Sequence, residues 1–297
     1  MLSTAATARP PAAAPSIAVP DAQHAATALR AAAAAWCAVA VLGQLVFACY
    51  VAALYGGTAL GGRPDLWNTV MPHGYMAQAP LHNAMIRLHL LFAVLLTSAG
   101  ALQLLPVVRR RWPRLHRWNG RAYLSAAVIA SISGLVMVWT PPGTVGDLSQ
   151  HLATTLNAVL ILLSAAMAWR AALRRQFDLH RQWALRLFLL VGGVWFFRIG
   201  LMLWLIANRG PAGFDPHTFQ GPALTILAFA QSLLPLAVLQ LTIRVQQRRH
   251  AAAQWLTAAL LGILTLATLA GVAAATALMW LPPLLKVFGP RGLALIA

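Results

Sequence analysis

The chain has 297 residues, of which 60% are hydrophobic and only 9% charged. Soluble domains carry about a quarter charged residues, so a soluble fold is excluded. The formal net charge is +17, but the arginines fall between apolar runs rather than in one patch, which argues for membrane topology and against a nucleic-acid partner.

Residues 1–30, rich in Ala and Pro, read as a disordered cytoplasmic tail rather than a cleavable signal. Residues 31–297 read as one transmembrane domain. Apolar runs of about 20 residues are long enough to cross ~30 Å of hydrocarbon as helices. The runs predict an all-α polytopic membrane protein with about seven spans, at 31–55, 84–106, 118–140, 149–171, 183–207, 221–243 and 253–280. Cys37 and Cys49 share the first span, and their placement suits neither a structural disulfide nor a metal site. Trp36, Trp118, Trp139, Trp169, Trp183, Trp204 and Trp280 fall near span ends, as an aromatic belt does.

Basic residues cluster in alternate loops. Arg109, Arg110, Arg111, Arg114, Arg117 and Arg121 surround the turn between spans two and three. Arg170, Arg174, Arg175, Arg181 and Arg186 surround the next such turn, and Arg244, Arg248 and Arg249 the last. The other loops, 56–83, 141–148 and 208–220, hold only Arg63 and Arg209, with Arg87 just inside span two. The positive-inside rule then places the amino terminus in the cytoplasm and the carboxyl terminus outside. The loop 56–83 reads as a mobile connection, with a lid over the outer site as the other reading.

Two hairpins, about 84–121 and 149–186, repeat one pattern. His89 opens an apolar run that ends at Leu115-His116-Arg117, and His151 opens one that ends at Leu179-His180-Arg181. The gaps are 116 − 89 − 1 = 26 and 180 − 151 − 1 = 28 residues. A same-sense repeat makes spans two to five a central four-helix bundle related by an axis along the membrane normal. Asp178 is the expected cap of span five and Pro113 the expected start of span three.

Paired imidazoles at two levels are what b-type haem requires of such a bundle. His89 and His151 are the candidate axial ligands of an outer haem, and His116 and His180 of an inner one, roughly 20 Å apart by the helical rise. Arg87, Arg117, Arg121, Arg181 and Arg198 are candidate partners of propionates or of an anionic substrate. Arg198 lies within span five, where a charge is costly and no acidic residue in any span answers it. Gly100, Gly120, Gly134, Gly192 and Gly193 are small enough for close approach of helices or a porphyrin. Sites for zinc hydrolysis, serine catalysis, nucleotide binding and carboxylate-based proton transport are not visible.

The elements LHRWNGRAYL (Leu115 to Leu124), LHRQWALRLF (Leu179 to Phe188) and WFFRIG resemble the domain-of-unknown-function 2306 family of bacterial membrane proteins, over roughly residues 85–205. That resemblance implies a membrane fold and no defined activity. The four-histidine arrangement is also similar to cytochrome b-561 proteins, in which spans two and four, and three and five, supply haem ligands. It implies His89 with His151, His116 with His180, and a small reductant or quinol as donor. The expectation is therefore a haem b protein, with one haem or two, that moves electrons through a lipid-embedded bundle. The alternative is a cofactor-free membrane protein: a small-molecule transporter, a lipid or quinone binder, or an assembly factor.

Overall fold

The computed structural model describes residues 19–71, 73–140, 146–248 and 250–289. The start of the expected tail, part of the loop 141–148 and Arg249 lie outside the described residues. Every long element is a helix, as a chain in lipid requires when its backbone groups must bond within the segment. The helices are α1 (Val19–Val51), α2 (Gly57–Leu60), α3 (Pro80–Leu104), α4 (Pro106–Arg111), α5 (Pro113–Trp139), α6 (Leu148–Leu173), α7 (Phe177–Val191), α8 (Gly193–Ala207), α9 (Pro222–Arg248), α10 (Ala251–Ala275) and α11 (Leu281–Phe288). Among the described residues six helices are long and apolar enough to cross a membrane, or seven when the bent pair α7–α8 counts as one span.

Several boundaries differ from the sequence expectation. α1 begins at Val19, so the last part of the expected tail is helical. Pro113 opens α5 as expected. Asp178 does not cap α7, whose cap residue is Gln176 with no side-chain bond. The side-chain cap is Asp147 instead, which accepts from the Gln150 amide at the start of α6.

α1 and α10 run parallel. Trp255 Nε1 donates to Asp21 and Trp36 Nε1 to Thr268, both at 3.3 Å and at nearly equal separations along the chain. Gly43 permits this close crossing, since a Cβ there would lie 2.6 Å from Val272 Cγ2 and 2.7 Å from Trp195 Cζ2. α3 packs antiparallel to α5, α5 to α6 and α6 to α7, so the expected four-helix group forms. Its interior is filled by Leu96, Tyr123, Ala127, Ala165, Leu187 and Leu190.

The α7–α8 axis bends by 53° at Gly192. Buried Gln44 of α1 occupies the notch, and a Cβ at Gly192 would lie 2.8 Å from its Nε2. On the other side Asn157 lies against Gly193 and accepts from Ser232 Oγ at 2.8 Å.

The segment after α2 is a packed cap rather than a mobile connection. Trp67 is 1% exposed and donates to Thr58 Oγ1 at 2.9 Å and to the Tyr55 carbonyl at 3.2 Å. Asn68 and Tyr75 exchange two hydrogen bonds, as do Asn83 and Met76. The tryptophan belt also divides. Trp118, Trp139 and Trp169 face outward, whereas Trp280 is core.

Candidate functional site

The α3–α4–α5 corner, the α6–α7 turn and the end of α9 lie at one end of the bundle and hold most of the arginines; we call this the basic face. The opposite end holds the Trp67 cap.

The proposed outer ligands take different partners. His89 turns to the middle of α5, where its Nδ1 lies 3.2 Å from the Ala130 carbonyl and 3.3 Å from Ser133 Oγ. Gly134 leaves room for that ring, its would-be Cβ standing 3.4 Å from His89 Cε1. His151 packs edge-on against Trp139 at the end of α5, with ring centroids 6.0 Å apart. Ala130 and Trp139 are nine residues apart (139 − 130), roughly 13 Å of helix by the rise per residue. The two imidazoles therefore sit at different depths, and this level does not fit a haem held between them. Arg87 is exposed and two residues from His89, on the other side of α3.

The basic-face pair is closer. His180 Nδ1 lies 2.9 Å from the Ala168 carbonyl, which fixes the ring against α6. His116 stands in the first turn of α5 within electrostatic range of His180, Arg109 and Arg117. Its carbonyl accepts from Gln103 Nε2 at 2.9 Å, while its Nδ1 is buried with no hydrogen-bond partner. Two imidazoles thus lie near each other at the basic face, one held through its Nδ1 and the other with its Nδ1 buried and without a partner among the described residues.

Beside this pair opens a crevice of about 130 Å³ lined by Gln103, Leu104, Leu105, Pro106, Arg109 and Arg181. A wider hollow of about 570 Å³ lies at Arg111–Leu115. It is walled by that one segment alone, so it is a dent in the surface rather than a junction of elements. Of the other candidates, Arg117 is exposed and Arg121 stacks over Trp118 at 5.1 Å. Arg198 stands apart in α8, over Phe47 at 5.2 Å.

Residues without a sequence motif complete the polar interior: Gln44, Asn157, Ser232, and Gln240, which accepts from Arg186 at 2.7 Å. Their only signal in the sequence is an amide or hydroxyl inside an apolar run.

No curated protein and no solved structure matches the chain, so the likeness to cytochrome b-561 proteins rests on the histidine pattern alone. The family described as "Predicted membrane protein (DUF2306)" matches residues 86–243, from α3 to α9 and more than half of the chain, and the chain belongs to that family.

Proposed function

We propose that the protein lies in a bacterial inner membrane with its basic face in the cytoplasm, and binds there the anionic end of a membrane-borne ligand. The crevice between Arg109 and Arg181 carries this reading. Arg63–Asp65, at the other end of the bundle, is the sole ion pair among the described residues, so neither crevice arginine is bridged there, not even Arg181 by Asp178 three residues before it. A guanidinium suits planar phosphate or carboxylate, and cytoplasmic-leaflet lipids supply such groups at about 1 kcal/mol per nearby arginine. A volume of about 130 Å³ admits a headgroup fragment, whereas whole ligands fill roughly 300–1,000 Å³. The ligand body then lies in lipid beside α3 and α7.

The test is thermal unfolding of the purified protein in uncharged detergent with short-chain phosphatidylglycerol, phosphatidylcholine or inorganic phosphate. Phosphatidylglycerol should raise the midpoint, and the Arg109→Gln/Arg181→Gln double variant should lose the rise. Inorganic phosphate acting alone would identify a soluble anion as the ligand, and no response to any of the three overturns the reading.

A second reading is one b-type haem at the basic face, held by His116 and His180. It is supported by the Ala168 carbonyl on His180 Nδ1, the arrangement that orients metal-binding histidines and leaves Nε2 for the metal, and by the nearness of His116. Haem, when bound, would supply one-electron chemistry; His116 and His180 would hold it, and Arg117, Arg121 and Arg181 would be the cations available to its propionates. A quinol or small reductant would be the donor. Oxidised and dithionite-reduced absorbance spectra decide the matter. Sharp reduced α and β bands lost in His180→Ala support it, and a colourless folded preparation from haem-sufficient cells sinks it.

A further inference from the structure

Arg198 lies well inside a span, roughly 14 Å from the end of α8 by the helical rise; Arg186 lies as far from the start of α7, but donates to Gln240. A guanidinium has five N–H donors. The hydrogen bond made by that of Arg198 is Nη1 to the Val194 carbonyl, at a long 3.3 Å. Its remaining contacts are aromatic. Phe47 lies beneath the guanidinium at 5.2 Å, and Tyr50 and Tyr55 stand within electrostatic range. Trp280 packs on Phe47 at 5.3 Å and on Tyr50 at 6.2 Å, and its buried Nε1 has no hydrogen-bond partner.

The helices that bring these rings together are both distorted at this level. The chain continues from α1 through a π turn, Ala52–Gly56, that carries Tyr55; it continues from α10 through another, Thr276–Trp280, that ends on Trp280. Such turns occur frequently at functional sites. The cluster thus sets two donors, the Arg198 guanidinium and the Trp280 N–H, around a pair of phenols that bond to each other. All five acidic residues of the chain lie at helix ends or in loops, at Asp21, Asp65, Asp147, Asp178 and Asp215. An arginine at this depth without a counter-charge is costly, and the Trp280 N–H is a second unmet donor among the same rings. Phe47, Tyr50, Tyr55 and Trp280 all lie outside the residues matched by the family, whereas Arg198 lies within them.

We propose that Arg198, with Tyr50, Tyr55 and Trp280, binds the carboxylate or phosphate end of an apolar ligand in the half of the membrane under the Trp67 cap. This site is separate from the basic-face crevice, and its test removes that crevice. In an Arg109→Gln/Arg181→Gln background in dodecyl maltoside, tryptophan fluorescence is followed while dodecanoate, dodecyl phosphate or dodecyltrimethylammonium is added. The anionic probes should bind saturably and the cation should not. Tighter binding of dodecyl phosphate would point to a lipid phosphate, and tighter binding of dodecanoate to a free carboxylic amphiphile. Arg198→Gln should weaken binding at least about tenfold, the size of one lost charge-assisted bond, and Tyr55→Phe by a smaller factor. Absence of saturable binding by either anion, or unchanged binding in Arg198→Gln, overturns the proposal. If Arg198→Gln does not fold, unchanged binding in Tyr55→Phe overturns it.

Discussion

In the first hairpin Arg121 stacks on Trp118, one turn earlier on α5; in the second Arg186 stacks on Trp183 in the same way on α7. The local pair is repeated, but its surroundings are not. Trp118 is 68% exposed and faces outward, whereas Arg186 reaches across to Gln240 of α9. α5 runs unbroken to Trp139, while α7 gives way to α8 at Gly192. A similar sequence pattern thus accompanies similar local pairs, and the neighbouring helices then decide what each hairpin can do.

The largest expected effect comes from removing the break. Gly192→Val places a side chain against Gln44 and the Leu189 carbonyl, and overpacking of this kind costs about 1–3 kcal/mol. Val128 stands twelve residues after His116 as Gly192 stands after His180 (128 − 116 and 192 − 180). Val128→Gly should cost less, about 1 kcal/mol or below. Thermal unfolding in detergent compares them; equal losses would mean that the α1 contact does not maintain the bend.

The spans and the basic face were legible because both follow from composition, apolar length and loop charge. Pro113 was legible as a helix start because its missing N–H costs nothing at that position. The depth of His89 was not legible. Spacing along one helix gives its level on α3 but not which way the ring turns, and the ring turns to Ala130 of α5. The two π turns have no sequence signature that distinguishes them from ordinary helix. Gly192-Gly193 was visible as a small pair, but the wedge that makes it a bend comes from Gln44, in a helix far away along the chain.

Arg186→Ala and Arg121→Ala sharpen the comparison further. Arg186→Ala removes a bond to Gln240 and should cost roughly 0.6–1.7 kcal/mol, the average and upper values for interhelical side-chain bonds in membranes. Arg121→Ala should be nearly silent in stability. The histidines give the next step. His180→Leu loses the bond to Ala168 and should cost roughly 0.6–1.7 kcal/mol. His116→Leu removes a buried nitrogen that has no partner, so it should be neutral or stabilising. Unfolding midpoints falling equally in the two would show that His116 is already satisfied in the free protein.

The smallest contrast lies at the starts of α6 and α7. Asp147 accepts from Ser149 Oγ at 2.5 Å and from the Gln150 amide at 3.0 Å, and these bonds hold its carboxyl below the ordinary carboxylate range. Asp178 lies in the first turn of α7 without capping it. Losing a side-chain cap costs about 1 kcal/mol, whereas a charge near a helix start contributes only roughly 0.3–1 kcal/mol and is screened by salt. Because the folded-state value of Asp147 is lowered, its contribution is fully present above the unfolded carboxylate value. It is lost as pH falls through the lower, folded one. Asp147→Ala should therefore be less stable than the parent protein at neutral pH, with the gap closing only in strong acid. Asp178→Ala should differ little at neutral pH, and less still in high salt. Unfolding midpoints across that pH range measure both, and a neutral-pH gap for Asp178→Ala as large as that for Asp147→Ala would mean that the two helix starts are capped alike.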